Sequence, residues 1–369
     1  MVQRRTGQPG AAGLLPAGQA ASMMRPMEKP ASAILSPVCT SPADAAAMVA
    51  NCVAYHADGK RIGDITLDEI SDVLERPDTF VWVGLVEPDE ALLEKLQEEF
   101  GLHDLAIEDA HNAHQRPKIE AYGDSLFIVA QTAQVVSASI QFGETHIFVG
   151  KRYLVTVRHG ASLSYAPARR SCEQSPDMLT YGPSYALYAV LDFIVDNFMP
   201  IVRSFREDLQ ELEEDIFEDT FKRDTIRRLY NLKKELVTLR LAIGPLQDIL
   251  NQLTRMHPGL LRDEVRPYFR DVYDHAARIN ESTDTMREML TAALSVNLSL
   301  VTVAQGEVVK RLAGWAALLA APTLMTSWYG MNFHHMPELD KPWGYAAMIA
   351  VTLGICGGLF LALRRAKWL

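Results

Sequence analysis

Apolar or small residues recur in steps of three or four from Leu261 through Val265, Tyr268, Val272, Ala276, Ile279, Thr283, Met286, Leu290, Ala293, Asn297, Leu300, Ala304 and Val308 to Leu312. This is the stripe of one amphipathic helix. Pro267 suits its first turn, and no other proline or glycine follows until Gly306. The helix continues into an apolar run ending near Trp328. About 60 residues at ~1.5 Å each make a rod of ~90 Å. A stripe of that length can be covered only by a bundle or an oligomer.

Leu312 to Trp328 carries no charge, and neither does Trp343 to Leu363. At about 17 and about 21 residues, these runs are at or near the length that crosses a bilayer. Lys310 and Arg311 precede the first run, and Arg364, Arg365 and Lys367 follow the second. The positive charges therefore put both termini in the cytoplasm and the turn between the spans outside. Trp328, Tyr329, Trp343 and Tyr345 would lie at the outer interface, and Trp368 at the inner one. Two spans cannot enclose a conduit, so a pore requires several copies of the chain. The first span places Ala316, Ala320, Thr323 and Ser327 at helical spacing, and Pro322 leaves the carbonyl of Leu318 free. The second has Gly354 and Gly358, a small-xxx-small pair.

Ahead of the rod the pattern changes. Residues 1–45, rich in Ala, Pro, Gly and Ser, read as a disordered lead-in without the apolar core of a signal peptide. Residues 46–165 read as an α/β domain. Strands are expected at 79–86, 125–136, 145–150 and 153–157, with a hairpin turn at 150–152 and a helix at 89–100 carrying Leu92, Leu93, Leu96 and Phe100. A Ser/Pro-rich linker is expected near 160–183. From 180 to 311 the chain reads as a helical hairpin, apolar at first and strongly acidic at the end over 184–219 and more basic over 224–253, and then the stalk.

The net charge of −10 and the absence of a basic stripe with interleaved aromatics argue against nucleic acid. Cys39, Cys52, Cys172 and Cys356 are scattered and predict neither a zinc site nor a disulfide framework. No GxxxxGK[ST], GxGxxG or HExxH motif occurs, so no enzyme and no organic cofactor are expected.

The turn between the spans reads SWYGMNFHHMPEL, from Ser327 to Leu339. Tyr329-Gly330-Met331-Asn332-Phe333 followed by Met336-Pro337-Glu338-Leu339, two flanking spans and a basic KWL tail resemble the CorA family of divalent metal ion transporters. IEDAHNAHQRPKIE (107–120) and RPYFRDVYDHAARINESTDTMREML (266–290) resemble it too. The resemblance covers roughly 50–369. It implies an α+β membrane protein: a cytosolic N-terminal α/β domain, a long helical hairpin, and a very long stalk helix continuing into a pore-lining first span (312–329). An external loop (330–342), an outer second span (343–363) and a cytosolic tail (364–369) follow. It further implies a homopentamer with a central pore in the plasma (inner) membrane.

Gly330, Met331 and Asn332 are then expected as the selectivity filter. Mg²⁺ is small, hard and slow to lose its water, and neutral oxygens can hold the hydrated ion without trapping it. Glycine at 330 is expected to allow a backbone turn. Counting back from the motif, the family's pore-facing positions fall on Thr323, Ala320, Leu312 and Val309, with Ser327 adding a hydroxyl near the filter. Glu338 would attract cations to the outer mouth. Asp109 and Asp271 match carboxylates that bind regulatory Mg²⁺ between subunits. Mg²⁺, with Co²⁺ beside it, is the expected substrate, and Mg²⁺ the regulatory ligand. A zinc transporter of the same superfamily and a non-transporting membrane-anchored helical sensor or scaffold are the alternatives. QGE at Gly306, where the family often has QNE, and TSW before YGMN depart from the family's pattern. His334 and His335 are expected to be plain polar residues. His111 and His114 are read as structural.

Overall fold

The computed structural model describes residues 47–136, 139–217, 223–256, 259–331 and 341–368. The lead-in expected at 1–45, with Cys39, lies outside them.

Seven strands form one sheet: β1 (Val49–His56), β2 (Arg61–Asp64), β3 (Thr79–Val86), β4 (Lys118–Tyr122), β5 (Ser125–Val136), β6 (Ser139–Val149) and β7 (Tyr153–Gly160). Their order is β2-β1-β3-β7-β6-β5-β4. Every pairing is antiparallel except the central β3–β7, which is parallel. Side chains alternate across the sheet and feed two cores. Phe80 and Trp82 of β3 enter one, while Val81, Val83 and Leu85 enter the other. This is why TFVWVGLV has no polar face: both of its sides are covered.

The Val81 side is covered by three short helices, α1 (Ile70–Leu74), α2 (Glu90–Phe100) and α3 (Asp104–His111). Asp89 caps α2 by accepting from the Leu92 N–H at 2.9 Å. Gly101 ends the helix at φ 62°, a left-handed position that glycine adopts without strain. The hairpin turn read at 150–152 joins β6 to β7. Strands β1, β2 and β4 and helices α1 and α3 were not among the expected elements.

The stretch expected to be a linker is folded. It holds α4 (Ala166–Glu173) and α5 (Pro176–Leu179), with Tyr165, Cys172 and Leu179 buried in the Trp82 core. Its prolines sit in the first turns of these helices, where no N–H is needed. The helix expected from 184 comes as two, α6 (Pro183–Asp196) and α7 (Phe198–Phe217), separated at Asn197. α8 (Arg223–Met256) packs back against α7 and against the stalk helix that follows it. Arg228 of α8 reaches Glu211 at 2.9 Å and Asp215 at 3.1 Å, so the opposite charges of the hairpin's arms do meet.

The stalk α9 spans Arg266–Tyr329, 64 residues or ~96 Å. Its stripe is buried against α6, α7 and α8 at Val272, Ala276, Ile279, Thr283, Met286, Leu290 and Ala293. In the first turn Phe269 takes the buried place expected of Tyr268, which is 39% exposed. Beyond Asn297, which is half-buried, the stripe has no cover in the single chain: Leu300, Val308 and Leu312 are exposed. One polar ladder interrupts the α8–α9 seam. Arg240 donates to Asp284 (3.1 Å) and to Asn280 (3.2 Å), Asn280 donates to Gln247 (2.6 Å), and Gln247 donates to the Tyr273 hydroxyl (3.2 Å). Asn280→Leu leaves the Arg240 Nη1 and the Gln247 Oε1 without this partner in a part-buried seam. It should destabilise the chain by about 1–3 kcal/mol, read as a lower melting temperature of the purified protein.

The last helix, α10 (Gly344–Arg365), lies beside the end of α9. Three described helical stretches are long and apolar enough to cross a membrane: Pro183–Ile216, which runs through α6 and α7, Arg266–Tyr329 and Gly344–Arg365. The apolar window of the first is half buried inside the fold, whereas that of the last is not buried at all. The first apolar run therefore serves the core.

Candidate ion pathway and metal-binding face

Successive residues of α9 are ~100° apart around its axis. Gly314, Leu318, Ala321, Met325 and Tyr329, at least partly covered, form one face. Met325 and Tyr329 line a small apolar cleft with Trp343, Ala347 and Val351 of the α10 side, so this face meets α10. Val309, Leu312, Ala320, Thr323 and Ser327 lie on the opposite face, and all five are exposed. The lower two are apolar and the upper ones small or hydroxylic. The Thr323 hydroxyl donates to the Leu319 carbonyl at 2.9 Å, which leaves its lone pairs for the open face. Gly306, below this set, has nothing near the position a side chain would take.

Gly330 caps α9 with φ −85°, an ordinary helical value. The expectation that glycine is needed there for a backbone turn is corrected. A Cβ at 330 would stand 3.3 Å from the Thr326 carbonyl oxygen, a tight contact with the last turn. Met331 follows, 48% exposed. Asn332, His334, His335 and Glu338 lie outside the described residues.

Asp109 sits on α3 and is paired within its own chain. Lys118 of β4 reaches it at 2.7 Å and also reaches Glu120 at 2.9 Å. Asp271 sits near the start of α9, 65% exposed, with the His275 Nε2 at 3.8 Å one turn on. The other ring nitrogen of His275 faces Asp196 of α6, also at 3.8 Å. Asp192 joins them: ligand atoms of Asp192, Asp196 and His275 all lie within 4.8 Å of one another. Burial pushes the Asp192 carboxyl up to about 6, and the neighbouring charges of Asp196 and Asp271 add to this. A divalent cation would relieve that repulsion with two carboxylates and an imidazole. The sequence reading missed Asp192, Asp196 and His275. Their signal was present as two i,i+4 pairs, Asp192/Asp196 and Asp271/His275, but only the packing of α6 on α9 shows that the pairs face each other. His114, read as structural, donates its backbone N–H to Glu144 at 2.5 Å from a positive φ of 77°. Cys52, Cys172 and Cys356 are free thiols.

Comparison with known proteins bears on this architecture. The profile of the family described as CorA-like Mg²⁺ transporter protein matches residues 77–365. The cobalt/magnesium transport protein CorA of Thermotoga maritima is 32% identical over 281 residues, 75% of this chain and 80% of that protein. The zinc transport protein ZntB of Pectobacterium carotovorum is more distant, 21% identical over 256 residues, 69% of this chain and 77% of its own. The complete structure of the CorA magnesium transporter from Methanocaldococcus jannaschii superposes with a TM-score of 0.70 at 22% identity. It covers 86% of this chain and 99% of that one, and shares the folded body, the long helix and the membrane helices. A profile match over most of the sequence, joined to a relative at 32% identity, places the chain in the CorA family of divalent metal ion transporters.

Proposed function

We propose that this chain assembles as a homopentamer and conducts hydrated Mg²⁺, with Co²⁺ as a second substrate, down the membrane potential. The observation that carries the reading is the two-faced end of α9. One face is taken by α10, and the opposite face, with Val309, Leu312, Ala320, Thr323 and Ser327, is open. Five such faces around an axis would line a conduit, with an apolar constriction at Val309 and Leu312 that closes by dewetting. Gly330, Met331 and Asn332 would form the filter at its outer end, and Glu338 would attract cations to the mouth. The chain would lie in the inner membrane with both termini cytoplasmic, as Lys310, Arg311, Arg364, Arg365 and Lys367 favour. A divalent cation entering a negative cell gains about 4.6 kcal/mol per 100 mV, twice the ~2.3 kcal/mol per charge, so no chemical energy source is needed.

Internal Mg²⁺ would close the pore by binding between subunits at Asp109 and Asp271. Asp192, Asp196 and His275 extend the Asp271 side within the subunit. Mg²⁺ would favour the closed packing by neutralising carboxylates that otherwise repel. Asp271→Lys is expected to raise the internal Mg²⁺ needed for closure, and unchanged closure would remove Asp271 from the sensor. The reading as a whole is tested by uptake into liposomes containing the purified protein, with Mg²⁺, Co²⁺ and Zn²⁺ compared. Mg²⁺ and Co²⁺ flux above Zn²⁺ is the expected result. Dominant Zn²⁺ flux would make it a zinc transporter, and no flux would leave a membrane-anchored scaffold.

A further inference from the structure

Asp109 is not a free carboxylate in the single chain. Lys118 of β4 donates from its Nζ to the Asp109 Oδ2 at 2.7 Å. Lys118, Glu120 and Tyr122 alternate with Ile119 and Ala121 along the strand, so they share one of its faces. That face meets α3 at two points. One is the Lys118–Asp109 pair, and the other is Tyr122, whose ring stacks at 4.3 Å on His103, the N-cap of α3. The side chains of Lys118 and Asp109 are 29% and 24% exposed, so their attraction is screened less than that of a surface pair. An ammonium has three N–H donors. The Lys118 ammonium also reaches the Glu120 Oε2 at 2.9 Å. The same oxygen accepts the Tyr122 hydroxyl at 2.9 Å, which holds Glu120 in place independently of Lys118. The centroid of the Phe127 ring lies 5.9 Å from Nζ and adds a cation–π attraction. A Lys118 that leaves Asp109 therefore keeps a carboxylate and a ring.

We propose that Lys118 is a tethered competitor for the Asp109 carboxylate, a positioning residue that sets the Mg²⁺ concentration at which the pore closes. The proposal rests on the reading of Asp109 as an intersubunit Mg²⁺ ligand. Without Mg²⁺, the ammonium holds Asp109 to its own sheet rather than to the neighbouring subunit. Its stem is fixed to β4, so it stands at the carboxylate at an effective concentration on the order of millimolar or more. Mg²⁺ brings two charges against one, and it takes Asp109 once its concentration offsets the loss of the pair. Lys118 then stays on Glu120. Mg²⁺ keeps most of its water and needs only one or two carboxylates, so Asp109 and Asp271 suffice and Glu120 remains free for Lys118. The apparent Mg²⁺ affinity is reduced by the fraction of subunits in which Lys118 occupies Asp109.

The test uses the full-length protein in liposomes and the internal Mg²⁺ concentration that halves flux. K118Q removes the competitor and should lower that concentration by roughly threefold or more, within the range of a partly exposed ion pair. E120Q removes the carboxylate to which Lys118 retires and should raise it. K118R should raise it too, because a guanidinium can grip a carboxylate with two parallel bonds. Asp109→Asn should abolish closure. If Lys118 only braced α3 against β4, its loss would leave closure unchanged or make it harder, the opposite sign. An unchanged or raised value in K118Q, an unchanged or lowered one in E120Q, or a wild-type value in K118R overturns the competitor. With closure lost in Asp109→Asn, any of these leaves the sensor intact. Closure unaffected by Asp109→Asn overturns the sensor reading and the proposal with it. Binding gives a readout independent of flux. The rise of melting temperature with added Mg²⁺ should begin at lower Mg²⁺ in K118Q than in the wild type, and coincident curves would refute the competition.

Discussion

Replacing Asn332 by alanine should abolish divalent cation uptake while leaving the protein assembled. The motif follows directly on the C-terminal end of α9, which Gly330 caps. In a symmetric assembly, one side-chain carbonyl per subunit would form a ring of neutral oxygens at the outer end of the open face. Such oxygens can hydrogen-bond the shell of a hydrated cation, and alanine removes them. Contacts to a charged partner are worth about 1.5–3 kcal/mol, and ~3 kcal/mol in a barrier is roughly two orders of magnitude in rate. The measurement is tracer or dye-monitored Mg²⁺ uptake by the variant in liposomes, with its oligomeric state checked by size-exclusion chromatography. An assembled variant with full uptake would remove Asn332 from the filter.

The second large effect is on the body. Phe269→Ala should destabilise the protein by about 3–5 kcal/mol, the range for deleting a fully buried aromatic ring. Phe269 is fully buried in the first turn of α9, and its ring meets the Tyr188 ring of α6 edge-on at 6.1 Å. This contact anchors the stalk two residues before Asp271, so its loss should also loosen the register between Asp192/Asp196 and Asp271/His275. The expected result is a lower melting temperature and a smaller rise of that temperature with added Mg²⁺. A variant that melts like the wild type would show that the stalk is anchored elsewhere.

The long helix and the paired apolar runs were legible because their signal is local. A 3.6-residue period runs as far as Leu312 without an internal proline, and absence of charge over a span needs no partner to be seen. The same holds for β3, β5 and the hairpin turn between β6 and β7. The prolines near 166–183 misled for a local reason as well. Proline breaks a helix interior but suits a first turn, and α4, α5 and α6 each use one there. Strand β4 was missed because KIEAY is short, carries charges at Lys118 and Glu120 and sits at the sheet edge.

The site divides along the same line. The GMN motif could be read from residues in order, and the resemblance it carries implies the α9 positions and the two aspartates, because each matches within one short stretch. What no stretch contains is the meeting of α6 with α9, which brings Asp192 and Asp196 to His275. The sequence by itself determined the stalk, the membrane runs and the family, since periodicity, hydropathy and a contiguous motif are properties of the chain in order. The tertiary structure decided which face of α9 is open and which carboxylates and imidazoles become neighbours. Those depend on contacts between residues as far apart as Asp192 and His275, and local preference does not encode such contacts.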